Sequence, residues 1–149
     1  MKLSVNMEES MYYLTTEHSF DSAHFLFGYE GKCSNIHGHR WRVVVKIKKE
    51  SLEQSGQLRG MIVDFSDLKK DVKEMVDFHD HSFIYEEGSL KEKTIEALNE
   101  EGFRMICVPF RPTAENFSKY FYDWIKNKGY LVSEVMVYET PNNCATYGE

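Results

Sequence analysis

The sequence has 149 residues, which suits a single domain large enough to bury a hydrophobic core. Its formal net charge of −6 argues against a nucleic-acid partner, because a general nucleic-acid-binding surface needs a basic face. No apolar run approaches the roughly 18 residues that a membrane-spanning helix needs, so we expect no membrane partner.

The N-terminal segment and the cysteines both bear on location. Residues 1–10 are polar, which predicts a loose leader and no signal peptide. The 3 cysteines are odd in number and irregular in spacing, which favours reduced thiols over a disulfide framework. Together these features predict a cytoplasmic protein.

The first predicted elements are strands. Residues 11–20 are rich in aromatic and β-branched side chains, which is typical of a strand. Residues 40–49 alternate between two faces, as expected in a half-buried antiparallel sheet, with one face made of Trp41, Val43, Val45 and Ile47. Residues 61–65 are predicted as a further strand.

Two clear helices follow. The first is predicted to begin at an N-cap, Ser66, and to end near Asp77, with an apolar stripe made of Leu68, Val72, Met75 and Val76. The second is predicted to begin at an N-cap, Thr113, and to end before Gly129, with a stripe made of Phe117, Phe121 and Trp124.

The remaining segments complete the predicted domain. Residues 86–101 predict a short surface helix, and residues 103–109 predict a strand in which Cys107 is a core residue. Residues 133–140 form the last predicted strand, and the tail, residues 141–149, is predicted to be turn-like. The order predicts one α+β domain over residues 1–149, an antiparallel sheet with two main helices on one face.

The main chemical signal is the segment Cys-Ser-Asn-Ile-His-Gly-His at residues 33–39. Side chains two apart on an extended strand point to the same face, so His37 and His39 can bind one cation. A catalytic zinc usually has three protein ligands and an open position, and His24 is the candidate third ligand. Cys33 is either a fourth ligand that closes the site or a separate reactive thiol, and the spacing alone does not separate these readings.

Other polar side chains are weaker candidates. Asp80 and His81 form a carboxylate–imidazole pair that can orient a proton-transferring histidine, or they belong to a polar loop. Glu139 either faces solvent or accepts hydrogen bonds from a planar nitrogenous ligand. Basic residues around the central motif are either an anion-binding cluster or solvated charges: Lys32, Arg40 and Arg42.

Six segments carry a further signal and together span most of the chain: residues 20–24, 33–39, 63–69, 80–81, 112–116 and 137–140. In this order they resemble the motifs of the 6-pyruvoyl-tetrahydropterin synthase and 6-carboxy-tetrahydropterin synthase family. The resemblance implies the tunnelling fold (T-fold), in which the strands of several subunits form a shared barrel. It also implies a homo-oligomer, commonly a hexamer, with active sites between subunits.

The resemblance also implies roles for individual residues. The residues that match the family's Zn²⁺ ligands are His24, His37 and His39. Cys33 matches the general base, and Asp80 with His81 matches the proton relay. Glu139 matches the carboxylate that anchors the pterin ring and is sometimes counted in the relay. Two residues match positions near the pterin pocket, Thr113 and Glu115.

The implied activity is that of a zinc-dependent lyase acting on 7,8-dihydroneopterin triphosphate. The three residues between Cys33 and His37 match the bacterial carboxy enzymes of queuosine (7-deazaguanine) synthesis, so the expected products are 6-carboxytetrahydropterin, acetaldehyde and triphosphate. The alternatives are 6-pyruvoyl-tetrahydropterin synthesis, aldol cleavage of dihydroneopterin, and a zinc- or pterin-binding module without catalysis.

Two features depart from the family pattern. His79 replaces the usual Leu and is a second candidate for the relay, and residues 85–110 are longer than usual and are interpreted as an insertion.

Overall fold

The computed structural model describes residues 10–149, so the predicted leader lies outside the described residues except for Ser10. These residues form six strands and three α-helices. In chain order the elements are β1 (Tyr12–His24), β2 (His37–Lys49), α1 (Phe65–His79), β3 (Ser82–Glu86), α2 (Glu92–Glu100), β4 (Met105–Val108), α3 (Ala114–Asn127), β5 (Val132–Thr140) and β6 (Asn143–Gly148). A single 3₁₀ turn, Lys32–Ser34, lies between β1 and β2.

All six strands belong to one sheet, in the order β4-β3-β1-β2-β5-β6. β1, β2 and β5 pair antiparallel, as predicted, and β6 pairs antiparallel with β5. The pairs β1/β3 and β3/β4 are parallel, which the sequence did not predict. The sheet and its helices confirm the predicted α+β class.

One hydrophobic core fills the space between the sheet and the helices α1 and α3. The alternation of β2 is confirmed, because Trp41, Val43, Val45 and Ile47 are all buried. The α1 stripe packs on this face, and from α3 both Phe117 and Phe121 are completely buried. Burying a side chain of this size stabilises the fold by about 1.5–3 kcal/mol, so this face fixes the position of both helices.

Three local predictions were wrong. Residues 61–65 do not form a strand, because the chain turns directly into α1. The N-cap of α1 is Asp64 and not Ser66: the Asp64 Oδ1 atom accepts a hydrogen bond of 2.8 Å from the Ser66 backbone N–H. The tail is not turn-like, because residues 143–148 form β6, which pairs with β5.

The predicted insertion contains α2 and β4, and α2 connects two parallel strands. Ile84 and Val108 face the core, so the alternating residues Phe83 and Met105 face the other side of the sheet. Leu98 of α2 borders a cavity with these two side chains, which places α2 on the sheet face opposite α1 and α3.

Cys107 also projects from this opposite side and is exposed, so its prediction as a core residue was wrong. The apolar neighbours of Cys107 correctly predicted a strand, but they did not indicate the face of the sheet on which the thiol lies. Within the described residues, none of the helices has the length and apolar character needed to cross a bilayer.

Candidate metal centre and active site

Three histidines converge at one end of the β1–β2 pair. The antiparallel register places His24 opposite His37, and Ser22 opposite His39. Because side chains alternate along a strand, all three imidazoles project from the face that also carries Trp41. Their ring nitrogens lie within 4.8 Å of one another, which brings together the three predicted ligands from two strands.

Backbone carbonyls fix the orientation of two of these rings. His24 Nδ1 donates a hydrogen bond of 2.7 Å to Pro112 O, and His37 Nδ1 donates one of 2.7 Å to Asn35 O. A carbonyl oxygen can only accept, so the proton lies on Nδ1 and the lone pair of Nε2 points into the cluster. The two Nε2 atoms are 3.1 Å apart. Two nitrogens bound tetrahedrally to one zinc at about 2.0–2.1 Å are roughly 3.3 Å apart, so the spacing suits a shared ion.

The third ring has an unsatisfied nitrogen. His39 Nε2 is buried without a hydrogen-bond partner among the described residues. Glu139 Oε1 lies 3.3 Å from it, but the two groups are not aligned for a hydrogen bond. A buried polar atom without a partner is costly, and a cation between the three rings would satisfy it.

Burial also favours the neutral form that metal binding requires. It lowers the pKa of His24 to about 4, and it is the largest cause of the lowered pKa of His39. Neutral imidazoles whose lone pairs converge are a suitable donor set for Zn²⁺.

Aromatic side chains of the hydrophobic core pack against the three-histidine cluster. The Trp41 ring centroid lies 5.1 Å from that of His24 and 5.4 Å from that of His39. Trp41 in turn contacts Phe117 of α3 at 5.0 Å. The cluster therefore rests on the packed interior, which limits the movement of its rings.

Cys33 lies in the 3₁₀ turn of the loop that connects His24 to His37. Its carbonyl accepts a hydrogen bond of 2.9 Å from the backbone N–H of Leu26, and its side chain is half-buried. The sulfur is not part of the group of mutually close ligand atoms. This geometry favours a separate thiol beside a three-histidine site over a fourth ligand.

Glu139 lies at an irregularity in β5. Tyr138 pairs with Cys144 and Thr140 pairs with Asn143, so β5 has one extra residue at Glu139. A β-bulge of this kind changes the direction of a side chain, and it brings the carboxylate next to His39. The same carboxylate borders a cavity of about 430 Å³, which is large enough for a small organic molecule.

Asp80 and His81 form the predicted pair directly after α1. His81 Nδ1 lies 2.8 Å from Asp80 Oδ2. Burial alone would raise the pKa of Asp80, but hydrogen bonds from the Asp21 backbone and from His81 lower it overall. The ionised carboxylate accepts the Nδ1 proton, which leaves His81 Nε2 exposed to solvent.

Neither Asp80 nor His81 belongs to the group of converging ligand atoms in the same chain. The pair is bonded to the backbone of Asp21, whose side chain projects from the sheet face opposite Ser22 and His24. His81 borders a cavity of about 420 Å³ together with Arg40 and His39.

The two remaining predicted site residues begin α3. Thr113 is the N-cap as predicted, since its Oγ1 accepts a hydrogen bond of 3.2 Å from the Asn116 backbone N–H. Glu115 lies exposed in the first turn. Pro112, just before them, provides the carbonyl that orients His24. No sequence pattern pointed to this backbone contact across 88 positions.

His79 is not part of the predicted relay. It is fully buried among aromatic rings, with Nδ1 2.7 Å from Met75 O and Nε2 3.0 Å from the Tyr120 hydroxyl. The signal was present in the sequence, because His79 lies on the same helical stripe as Leu68, Val72 and Met75.

Two of the basic residues around the central motif, Arg40 and Arg42, border the same cavity as Glu139, and each is in an ion pair. Arg40 pairs with Asp21 at 2.9 Å and Arg42 with Glu17 at 2.7 Å. Both pairs project from the sheet face opposite the histidine cluster. They are exposed ion pairs, as the solvated-charge interpretation expects.

Comparison with known proteins gives consistent results. The sequence profile described as "6-pyruvoyl tetrahydropterin synthase" matches residues 13–149. The 6-carboxy-5,6,7,8-tetrahydropterin synthase of Haemophilus influenzae is 38% identical, and the match covers 93% of this chain and 100% of that protein. The enzyme of the same name from Rickettsia bellii is 30% identical over 83% of this chain and 90% of its own.

Solved structures show the same fold. An uncharacterized protein from Wolinella succinogenes superposes with a TM-score of 0.75 at 21% identity, over 94% of this chain and 99% of its own. The Plasmodium vivax 6-pyruvoyltetrahydropterin synthase superposes with a TM-score of 0.69 at 22% identity, over 94% and 98% of the two chains. These likenesses confirm the predicted T-fold.

Proposed function

Because this chain belongs to the 6-pyruvoyl tetrahydropterin synthase family, we propose that it is a 6-carboxy-5,6,7,8-tetrahydropterin synthase. It would convert 7,8-dihydroneopterin triphosphate and water to 6-carboxytetrahydropterin, acetaldehyde and triphosphate, in queuosine (7-deazaguanine) biosynthesis. The observation that carries the proposal is the convergence of three imidazoles on one point beside a loop that carries a thiol. The similarity to the Haemophilus influenzae enzyme along its whole length supports this choice of reaction.

The metal in this proposal is Zn²⁺, held by His24, His37 and His39. Bound there, it would supply Lewis acidity toward the hydroxyl oxygens of the substrate side chain. The carbonyls of Pro112 and Asn35 keep two of the imidazoles in the tautomer that binds a metal.

The other site residues would bind the substrate and transfer protons. Cys33 would take a carbon-bound proton as the general base, and His81, oriented by Asp80, would move protons elsewhere on the side chain. The Glu139 carboxylate would accept hydrogen bonds from the guanidine-like edge of the pterin, which has several N–H donors. At the start of α3, Thr113 and Glu115 would border the pterin.

The position of the Asp80–His81 pair supports an oligomer. Within one chain the pair is hydrogen-bonded to the Asp21 backbone and is not part of the converging histidine group, so we propose that the pair serves the metal centre of a neighbouring subunit. A homohexamer, with sheets joined in a barrel, would provide this arrangement. We also propose a cytoplasmic location, supported by the free thiols of Cys33, Cys107 and Cys144.

The deciding experiment is the product profile from 7,8-dihydroneopterin triphosphate with zinc-loaded protein. We expect 6-carboxytetrahydropterin and acetaldehyde in equal amounts. A 6-pyruvoyl pterin would favour the alternative reaction, which the name of the Plasmodium vivax structural neighbour suggests. Aldol cleavage would release the side chain from dihydroneopterin itself, and binding without turnover would favour a non-catalytic module.

Replacing the thiol tests its role separately. We expect Cys33→Ala to abolish turnover while the protein keeps its bound zinc, because the sulfur is not grouped with the imidazoles. Loss of the metal in this variant, measured by atomic absorption after gel filtration, would instead make Cys33 a ligand. Cys144→Ala, at an exposed position on β6, is the matched control.

A further inference from the structure

The turn that carries Asp80 and His81 is bonded to an arginine from residues 85–110, the segment predicted to be an insertion. Arg104, just before β4, donates a hydrogen bond of 3.0 Å from Nη1 to Asp80 O. Its Nη2 atom donates to Phe78 O, and its guanidinium lies 5.2 Å from the centroid of the Phe78 ring. One side chain therefore binds the backbone at two positions at the end of α1.

The backbone at this turn has an unfavourable conformation. His81 has a φ of 55°, in the left-handed region that side chains other than glycine rarely adopt. Such a conformation costs about 1–3 kcal/mol and persists only where surrounding contacts impose it. Non-glycine residues in the left-handed region are concentrated at functional sites, where surrounding contacts hold the backbone in place.

Several of these contacts come from β1 and from the turn itself. The His81 N–H donates to Asp21 O at 2.7 Å, and the Asp21 N–H donates to Asp80 Oδ1 at 2.8 Å. Ser82 Oγ donates to His79 O at 2.6 Å. These bonds fix the turn from one side, and Arg104 binds it from the segment of residues 85–110.

The guanidinium is well placed for this role. The last carbonyls of a helix have no partner within the helix and carry partial negative charge, which a nearby cation stabilises. Arg104 is itself held by the sheet, since its carbonyl accepts a hydrogen bond of 2.9 Å from the Phe83 backbone N–H. The parallel β3–β4 pairing thus sets where the guanidinium meets the end of α1.

We propose that Arg104 is a positioning residue that holds the Asp80–His81 pair in the geometry needed for proton transfer. The segment of residues 85–110 would then contribute to the reaction by supplying this arginine. The proposal rests on the proposed function, because it takes His81 as a proton-transfer group. His81 Nε2 projects from a turn that Arg104 ties to β4, so releasing the turn would displace this atom. A displacement of about 1 Å in a reacting group can lower the rate by roughly 100-fold.

The test compares Arg104→Ala and Arg104→Lys with Arg59→Ala. Arg59 is exposed in the loop before α1, and its guanidinium has no hydrogen bond or ion pair within residues 10–149. We expect Arg104→Ala to lower kcat at least about tenfold, equivalent to about 1.4 kcal/mol, with KM and zinc content unchanged. Arg104→Lys should restore part of the loss because it keeps the charge, and Arg59→Ala should match the wild type.

Hydrogen–deuterium exchange provides a measurement that does not depend on turnover. We expect peptides covering residues 78–84 to exchange faster in Arg104→Ala than in the wild type or in Arg59→Ala. If the wild-type protein converts no pterin, the proposed function fails, and exchange still reports whether Arg104 orders the turn. Unchanged exchange, a normal kcat in Arg104→Ala, or a kcat loss matched by equal losses of zinc and folded protein would overturn the proposal.

Discussion

The buried His79 should make the stability of the protein depend on pH. Burial is the main cause of its lowered pKa of about 4, compared with an ordinary value of 6.5. Between these values the unfolded chain binds a proton at His79 and the folded chain does not, so falling pH favours unfolding. The stabilisation by neutral His79 is therefore complete above pH 6.5 and is lost as the pH falls toward 4.

The magnitude follows from the two pKa values. Relative to pH 7, this one group should lower the free energy of unfolding by about 2 kcal/mol at pH 5 and about 3 kcal/mol at pH 4. His79→Phe removes the titration and keeps an aromatic ring among Phe20, Phe121 and Trp124. At pH 7 the variant should be less stable by about 1–3 kcal/mol, because the Tyr120 hydroxyl loses its partner.

Urea denaturation of both proteins between pH 7 and pH 4.5 measures the effect. Other titrating groups, including the three clustered histidines, contribute equally to both proteins and cancel in the difference. We expect the stability advantage of the wild type to shrink by about 2 kcal/mol from pH 7 to pH 5. An advantage that stays constant over this range would refute the assignment of His79 as a buried neutral group.

Two further predictions concern the candidate site. Glu139→Gln should raise KM for 7,8-dihydroneopterin triphosphate about tenfold or more, because charge-assisted hydrogen bonds contribute roughly 1.5–3 kcal/mol. The zinc content should stay unchanged. Steady-state kinetics with metal analysis measures both quantities, and an unchanged KM would exclude the anchoring role. Thr113→Ala should lower the free energy of unfolding by about 1 kcal/mol, because it removes the N-cap of α3. Thr113→Ser should keep most of that stability in urea denaturation, and equal losses in the two variants would contradict the capping explanation.

Much of the fold could be predicted where a pattern is local. The period of two in residues 40–49 identified the buried face of β2, and the helical stripes identified the faces of α1 and α3. Thr113 was identified as an N-cap because its side chain bonds a backbone group only three residues away. The Ser66 prediction failed over an equally short distance, since Asp64 and Ser66 are both good caps and only the backbone shows which one accepts.

Predictions failed where a long-range partner decides the structure. The tail became β6 because β5 offered a free edge, and Cys107 became exposed because its strand joined the sheet beside β3. His79 was interpreted as a possible relay residue from its neighbours in sequence, although its helical position placed it in the core.

The sequence by itself determined the chemistry that is available: three imidazoles, a thiol, and a carboxylate–imidazole pair, each on a recognisable segment. The tertiary structure decided which of these groups meet. The β1–β2 register brought His24 to His37, and the chain just before α3 brought the Pro112 carbonyl to His24. The Asp80–His81 pair is bonded to the backbone of Asp21 and is not grouped with the three imidazoles. The physical reason is that local patterns report periodicity and near-neighbour hydrogen bonds, whereas strand register and backbone contacts between distant segments depend on how the whole core packs.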